Sequence, residues 1–308
     1  MKYIAFAFAF GSIFCAPVAW ADRCADLARP PEFNRESAME AIFCEYNRAH
    51  GGTLLPVRHT QSWNAKKAET LATPILVATY TESGVKKGVV VIQRQQLDSG
   101  EPRMSHATGA TISAYVFKHD GSKCVFEKGR LKVSYAGAHG FAPGGKLVKL
   151  GQDKYGLWFE GGDIHQGYTN DYAFVVTLSE PQVLEVGNFD TGQPNRGACS
   201  DDPKERGPFT GACWGYEGRP EFIKVNGRDY YTLRISYQGT EEQDSNNRVK
   251  IVPKDKSLCY TKTSDKYVEL KDTTCADHSA LDAHDAFGIA DTEDRRQPIP
   301  SIPRKLLK

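Results

Sequence analysis

Apolar and β-branched residues come in short runs from residue 74 onward, and polar turn residues separate these runs. The runs lie at 75–80, 89–95, 111–117, 123–126, 146–150, 155–159, 172–178, 183–186, 222–225, 230–236, 249–252, 257–260 and 267–270. Short strands separated by turns about every 8–12 residues are typical of an antiparallel sandwich or barrel. We therefore predict a mainly β, sandwich or barrel-like body over residues 74–275.

Turn residues between the runs predict which strands are neighbours. Asn226-Gly227 is the strongest hairpin signal, because both residues tolerate the positive φ of a two-residue turn. Asp120-Gly121 and the pair Glu180-Pro181 separate other runs. Consecutive runs joined in this way predict antiparallel hairpins.

A different periodicity precedes the β body. Its apolar positions are Met39, Ile42, Phe43 and Tyr46, spaced as on one face of a helix. Asn34 is a suitable N-cap, and Gly51-Gly52 is a suitable end. We predict an N-terminal helical segment within residues 22–73, packed on the body. Residues 276–308, rich in Asp and then Pro, predict a short helix and a flexible tail.

The first 21 residues have the three parts of a secretory signal. Lys2 supplies the positive charge, residues 4–14 are mostly apolar, and Ala19-Trp20-Ala21 offers a cleavage site. A membrane anchor needs about 20 apolar residues, and this run is shorter. The sequence predicts cleavage before Asp22, a periplasmic or secreted protein, and no membrane span in the mature chain.

Charge balance restricts the class of partner. Residues 1–21 contain one lysine and no acid, so the remainder holds 38 basic and 38 acidic side chains. Nucleic acids and anionic membranes call for a basic surface. We expect neither as a partner; an envelope protein or a glycan fits the charge, and the oligomeric state stays open.

Seven of the eight cysteines lie beyond residue 21. In an oxidising compartment they predict disulfides, and short loops are the easiest to close. The candidate pairs are Cys24–Cys44, Cys199–Cys213 and Cys259–Cys275, which leaves Cys124 as a free thiol. No CxxC pair is present, so we predict no metal or redox site of that kind and no cofactor.

One stretch, residues 155–172, combines glycines, aromatic rings and polar side chains. Its candidate binding residues are Trp158, Asp163, His165 and Tyr168. Glycines let a ligand approach the backbone, and aromatic rings offer flat surfaces. The alternative is a hairpin corner, in which the glycines adopt positive φ and the aromatic rings pack in the core.

No local motif identifies catalytic residues. The chain has neither GxSxG nor HExxH. The sequence therefore favours an exported binding or interaction protein over an enzyme. The alternative is an exported hydrolase of cell-wall or polymeric substrates, with Asp163 and either Glu160 or His165 as the first residues to test.

Two stretches resemble known proteins. The middle of the chain resembles a pattern in uncharacterised exported bacterial proteins. The matching segments are 149–156, Gly167-Tyr168, Gly197-Ala198-Cys199, Trp214 and 229–233. This resemblance implies export and no particular activity. Cys24 and Glu40–Cys44 are similar to the N-terminal module of the LprI-like lysozyme-inhibitor family, with a longer cysteine spacing here. This second resemblance implies an envelope- or lysozyme-directed role and identifies no inhibitory residue.

Overall fold

Antiparallel strands dominate the computed structural model, which describes residues 33–55, 70–120, 123–207, 210–245 and 248–270. The elements are α1 (Arg35–Phe43), β1 (Thr53–Leu55), β2 (Thr70–Glu82), β3 (Val85–Asp98), β4 (Glu101–Pro102), β5 (Ala110–Asp120), β6 (Lys123–Ala136), β7 (Gly144–Gly151), β8 (Lys154–His165), β9 (Tyr168–Thr177), β10 (Leu184–Gly192), β11 (Tyr216–Ile223), β12 (Thr232–Ser245), β13 (Arg248–Pro253), β14 (Lys256–Lys262) and β15 (Tyr267–Glu269). The predicted mainly β fold with one helix is confirmed.

The strands form two sheets. The first has the order β1-β2-β3-β5-β6, with β4 added beside β3. The second has the order β15-β14-β12-β11-β10-β9-β8-β7, with β13 added beside β12. Sequential strands are neighbours almost throughout, as hairpin connections require.

The first core lies between the two sheets. Leu76, Val89 and Ile112 from the first sheet pack there with Phe159 and Phe174 from the second. Their neighbours along the same strands, such as Val90 and Trp158, belong to other cores. Both faces of β3, β8 and β9 are therefore buried, which explains why these strands read as continuous apolar runs.

The second core lies inside the second sheet, which curls into a half-barrel. Trp158 is fully buried there, with Phe222 and Phe189 packed around its indole. The Tyr231 N–H donates to the Leu150 carbonyl at 2.7 Å, so the start of β12 meets the end of β7. This contact joins β7, the last strand of the sheet, to β12 across the curl.

Helix α1 covers the outer face of the first sheet, with Met39 and Ile42 buried. Asn34 caps it as predicted, since its side chain accepts a hydrogen bond from the Ser37 N–H at 3.0 Å. The prediction that Gly51-Gly52 ends the helix was wrong. The helix ends at Phe43 because Cys44 adopts a left-handed conformation, with φ 60°.

The structure confirms one predicted disulfide and the predicted free thiol. Cys199 and Cys213 form a disulfide, and Cys124 is free. Cys44 and Cys259 are also disulfide-bonded. The partners predicted for them, Cys24 and Cys275, lie outside the described residues.

The predicted signal (1–21) and the predicted C-terminal helix and tail (276–308) also lie outside the described residues. Strand β2 begins at Thr70, before the predicted start of the β body at residue 74. Of the part of the chain that the structure describes, no helix has the length and apolar character needed to cross a membrane.

Candidate functional site

A groove opens at one end of the half-barrel because β10 and β11 separate there. The two strands are paired only at Gly192 and Glu217. The long connection between them, residues 193–215, carries the Cys199–Cys213 disulfide. It folds back along the open end, and its two legs form one wall of the groove.

Asn195 holds these two legs together. Its side chain is almost fully buried, donates to the Ala212 carbonyl at 3.0 Å and accepts from the Trp214 N–H at 2.8 Å. Its own backbone N–H donates to the Trp214 carbonyl. Three hydrogen bonds between the same segments fix the position of Trp214 on the groove wall.

The tip of the β8–β9 hairpin forms the neighbouring wall. The Gly197 N–H donates to the Gly167 carbonyl at 2.9 Å. A Cβ at Gly167 would lie 2.3 Å from the Gly197 carbonyl carbon, and Gly167 has φ +87°. A side chain at this position would force the hairpin away from the disulfide loop.

The indole of Trp214 is held on both sides. Its centroid lies 6.2 Å from that of Tyr168, and its Nε1 donates to Glu242 at 3.1 Å. Glu242 lies on β12 beyond Gly239, in the part of the strand that pairs with β13. The half-buried ring thus presents a fixed flat surface.

The groove has a volume of about 1000 Å³. Its polar lining combines acidic, basic and amide side chains. The lining includes Asp171, Arg196, Trp214, Glu217, Arg219 and Gln238. A concave site with one aromatic surface and several convergent polar groups is the usual form of a ligand site.

Charges in the groove are only partly compensated. Burial raises the pKa of the Asp171 carboxyl above its usual value, and the charges of Asp190 and Glu217 raise it further. Arg196 and Arg219 are exposed, and neither forms an ion pair with another described residue. Two guanidinium groups are therefore available to donate to a ligand.

The structure distributes the four sequence candidates over three environments. Trp158 lies in the second core, and its Nε1 donates to Glu160 at 2.7 Å. Tyr168 borders the groove through Trp214. The His165 Nε2 lies 2.7 Å from the Asp163 carboxylate on the exposed part of the hairpin.

Strand alternation places Asp163 and His165 on the face of the hairpin opposite to Asp171. Asp163 is paired with Asn170, whereas Gly162 is paired with Asp171. Successive residues of a strand point to opposite faces, so Asp163 and Asp171 lie on opposite faces of the hairpin. Tyr168 is paired with His165 and belongs to the same face as Asp163. Of the four sequence candidates it alone approaches the groove, through its ring contact with Trp214.

Sequence reasoning missed most of the groove. Asp171, Arg196, Glu217 and Arg219 lie on separate strands and loops, and no spacing marks them. Trp214 was part of the resemblance to exported bacterial proteins, as were Gly167 and Gly197, which come into contact here. Among the described residues, no group of three or more His, Cys, Asp or Glu side chains is arranged to hold a metal ion.

Comparison with protein-family models, curated proteins and solved structures gives no match.

Proposed function

We propose that this chain is an exported binding protein and that its groove holds a segment of an envelope glycan. The observation that carries the proposal is the fixed indole of Trp214 beside Asp171 and Arg219 in one groove. Sugar rings present apolar C–H faces and a rim of hydroxyl groups. A flat aromatic ring complements the faces, and carboxylate, guanidinium and amide groups complement the hydroxyls.

Disulfide chemistry supports the exported location. The Cys199–Cys213 bond frames the groove, and such bonds persist in oxidising compartments such as the periplasm. The signal predicted for residues 1–21 leads to the same compartment. An envelope glycan is a ligand that a protein exported there would meet.

Binding of purified peptidoglycan glycan chains, measured by calorimetry, tests the proposal. Trp214→Ala removes the flat surface, and we expect about tenfold weaker binding. Tyr135→Ala is the matched control, because Tyr135 is an exposed aromatic residue on β6 of the first sheet. The control variant should bind as tightly as the unmodified protein.

A second pair of variants tests the polar part of the groove. Arg219→Gln should weaken binding, whereas Arg130→Gln, at an exposed position on β6, should not. Absence of binding to any glycan chain would contradict the proposal. Retention of one envelope protein by all four variants would instead indicate an interaction protein that uses another surface.

A hydrolase is the second candidate, and one observation favours it. Asp171 has a raised pKa and neighbours Glu217, and glycosidases pair a protonated carboxyl with an ionised one. If the groove cleaves glycans, Asp171→Asn and Glu217→Gln should each abolish release of reducing ends. Asp163→Asn, on the opposite face of the hairpin, should retain it.

A further inference from the structure

Two loops meet at one end of the first sheet. One connects β4 to β5 and contains His106; the other connects β6 to β7 and contains His139. The His139 N–H donates to the Ser105 carbonyl at 2.9 Å, and the Gly140 N–H donates to the Thr108 carbonyl at 2.6 Å. These backbone bonds fix the loops relative to each other.

The loop that carries His139 is a tight turn. The Phe141 N–H donates to the Ala138 carbonyl at 3.0 Å, and both central residues have positive φ, +54° for His139 and +79° for Gly140. Asn or Gly is the usual choice at the first central position of such a turn. A histidine there is in an unfavourable conformation, and residues held in this way concentrate at functional sites.

The two imidazole rings are in edge-to-face contact and exposed to solvent. Their centroids are 4.4 Å apart with an interplanar angle of 66°, and both side chains are exposed. Imidazole nitrogens coordinate zinc at about 2.0–2.1 Å. Small rotations of two rings at this separation bring one nitrogen of each to a common ion, while the backbone stays in place.

We propose that His106 and His139 form an open binding site for a divalent transition-metal ion, of the class of Zn²⁺, Ni²⁺ and Cu²⁺. Neutral imidazole suits these ions. Two protein ligands leave the remaining coordination positions to solvent, which is the arrangement of a site that can accept a further ligand. The site is separate from the groove proposed above and does not depend on it.

Titration of the unmodified full chain with Zn²⁺ alone, followed by calorimetry, tests this proposal. We expect one ion per chain, and an affinity at least about tenfold lower in His106→Gln and in His139→Asn. His139→Asn is chosen because asparagine suits the positive φ of the turn. Thermal unfolding with and without Zn²⁺ provides a second measurement, because an ion that binds only the folded state raises the melting temperature.

Matched controls separate this site from other histidines. His165→Gln removes the imidazole beside Asp163. A double variant, His278→Gln/His284→Gln, removes the two histidines of residues 276–308, which lie outside the described residues. Both control variants should bind Zn²⁺ as tightly as the unmodified chain does. Loss of binding in either control, or unchanged binding in both His106→Gln and His139→Asn, would overturn the proposal, as would absence of Zn²⁺ binding to the unmodified chain.

Discussion

The surroundings of the Asp171 carboxylate disfavour its negative charge. Its burial and the neighbouring Asp190 and Glu217 raise its pKa above the ordinary value of about 3.9. A group with a raised acid pKa binds its proton more tightly in the folded state. It therefore favours folding when protonated, and this contribution is lost as the pH rises through the folded-state pKa.

The variant Asp171→Asn should thus melt at a higher temperature than the unmodified chain at pH 7. The difference should shrink as the pH is lowered through the raised pKa of Asp171, because the carboxyl then gains a proton. Calorimetric scans across the acid range measure the difference, with Asp229→Asn as the exposed control. A lower melting temperature for Asp171→Asn at pH 7 would show that the charged carboxylate does not destabilise the fold. We also expect this variant to lose glycan binding as it gains stability, which is the usual trade between stability and function.

Trp158 and Trp214 should contribute differently to the free energy of unfolding. Trp158 is fully buried against Phe189 and Phe222, so Trp158→Ala should lower the free energy of unfolding by about 3–5 kcal/mol. Trp214 is half-buried on the groove wall, and Trp214→Ala should cost clearly less. Urea unfolding of both variants measures the difference. Equal losses would show that Trp214 is part of the core.

Individual residues also show why the sequence could not predict the groove. Tyr168 was identified because it lies in a stretch, residues 155–172, that combines glycines, aromatic rings and polar side chains. Trp158 has the same composition around it, yet it points into a core, because β8 is buried on both faces and no alternation marks the difference. Asp171 resembles any polar strand residue, and its raised pKa arises from neighbours that lie far away in sequence.

Helix α1 begins at a capping box. Asn34 and Ser37 exchange hydrogen bonds in a capping box. Asn34→Ala removes one of these bonds and should lower the stability by about 1 kcal/mol, which shifts the melting temperature by about 2–4 °C.

Asn34→Ser is the conservative control, since serine caps as well as asparagine. Thermal unfolding followed by circular dichroism compares the two variants. Equal melting temperatures for Asn34→Ala and the unmodified chain would mean that the packing of Met39 and Ile42 alone holds the helix.

Strands were predictable where a buried centre imposes a pattern, and their ends were not. Every predicted run lies in or overlaps an observed strand, but the hairpins extend further through polar residues, as in β6 (Lys123–Ala136) and β12 (Thr232–Ser245). Backbone pairing continues there without apolar side chains. Strands β1 (Thr53–Leu55) and β4 (Glu101–Pro102) are too short to produce any periodicity.

The curl of the second sheet is a property of the whole molecule. It requires the contact between Leu150 and Tyr231 and the separation of β10 from β11 at a single pair. Neither feature has a local sequence signal, because each joins segments distant along the chain. The existence of the groove follows from this curl, so sequence could indicate the strands but not the cavity.

The disulfide that frames the groove should matter to binding as well as to stability. Cys199 and Cys213 are 14 residues apart, and in the chain-entropy model a loop of this size contributes about 3 kcal/mol. The double variant Cys199→Ser/Cys213→Ser should unfold at lower urea concentration, and its glycan affinity should fall because Trp214 lies next to Cys213. Cys124→Ser, which removes the described free thiol on β6, should alter neither measurement. If the double variant binds glycan as tightly as the unmodified chain, hydrogen bonds fix the groove wall without the disulfide, because those of Asn195 with Ala212 and Trp214 join the same two legs, as do backbone bonds at Gly211.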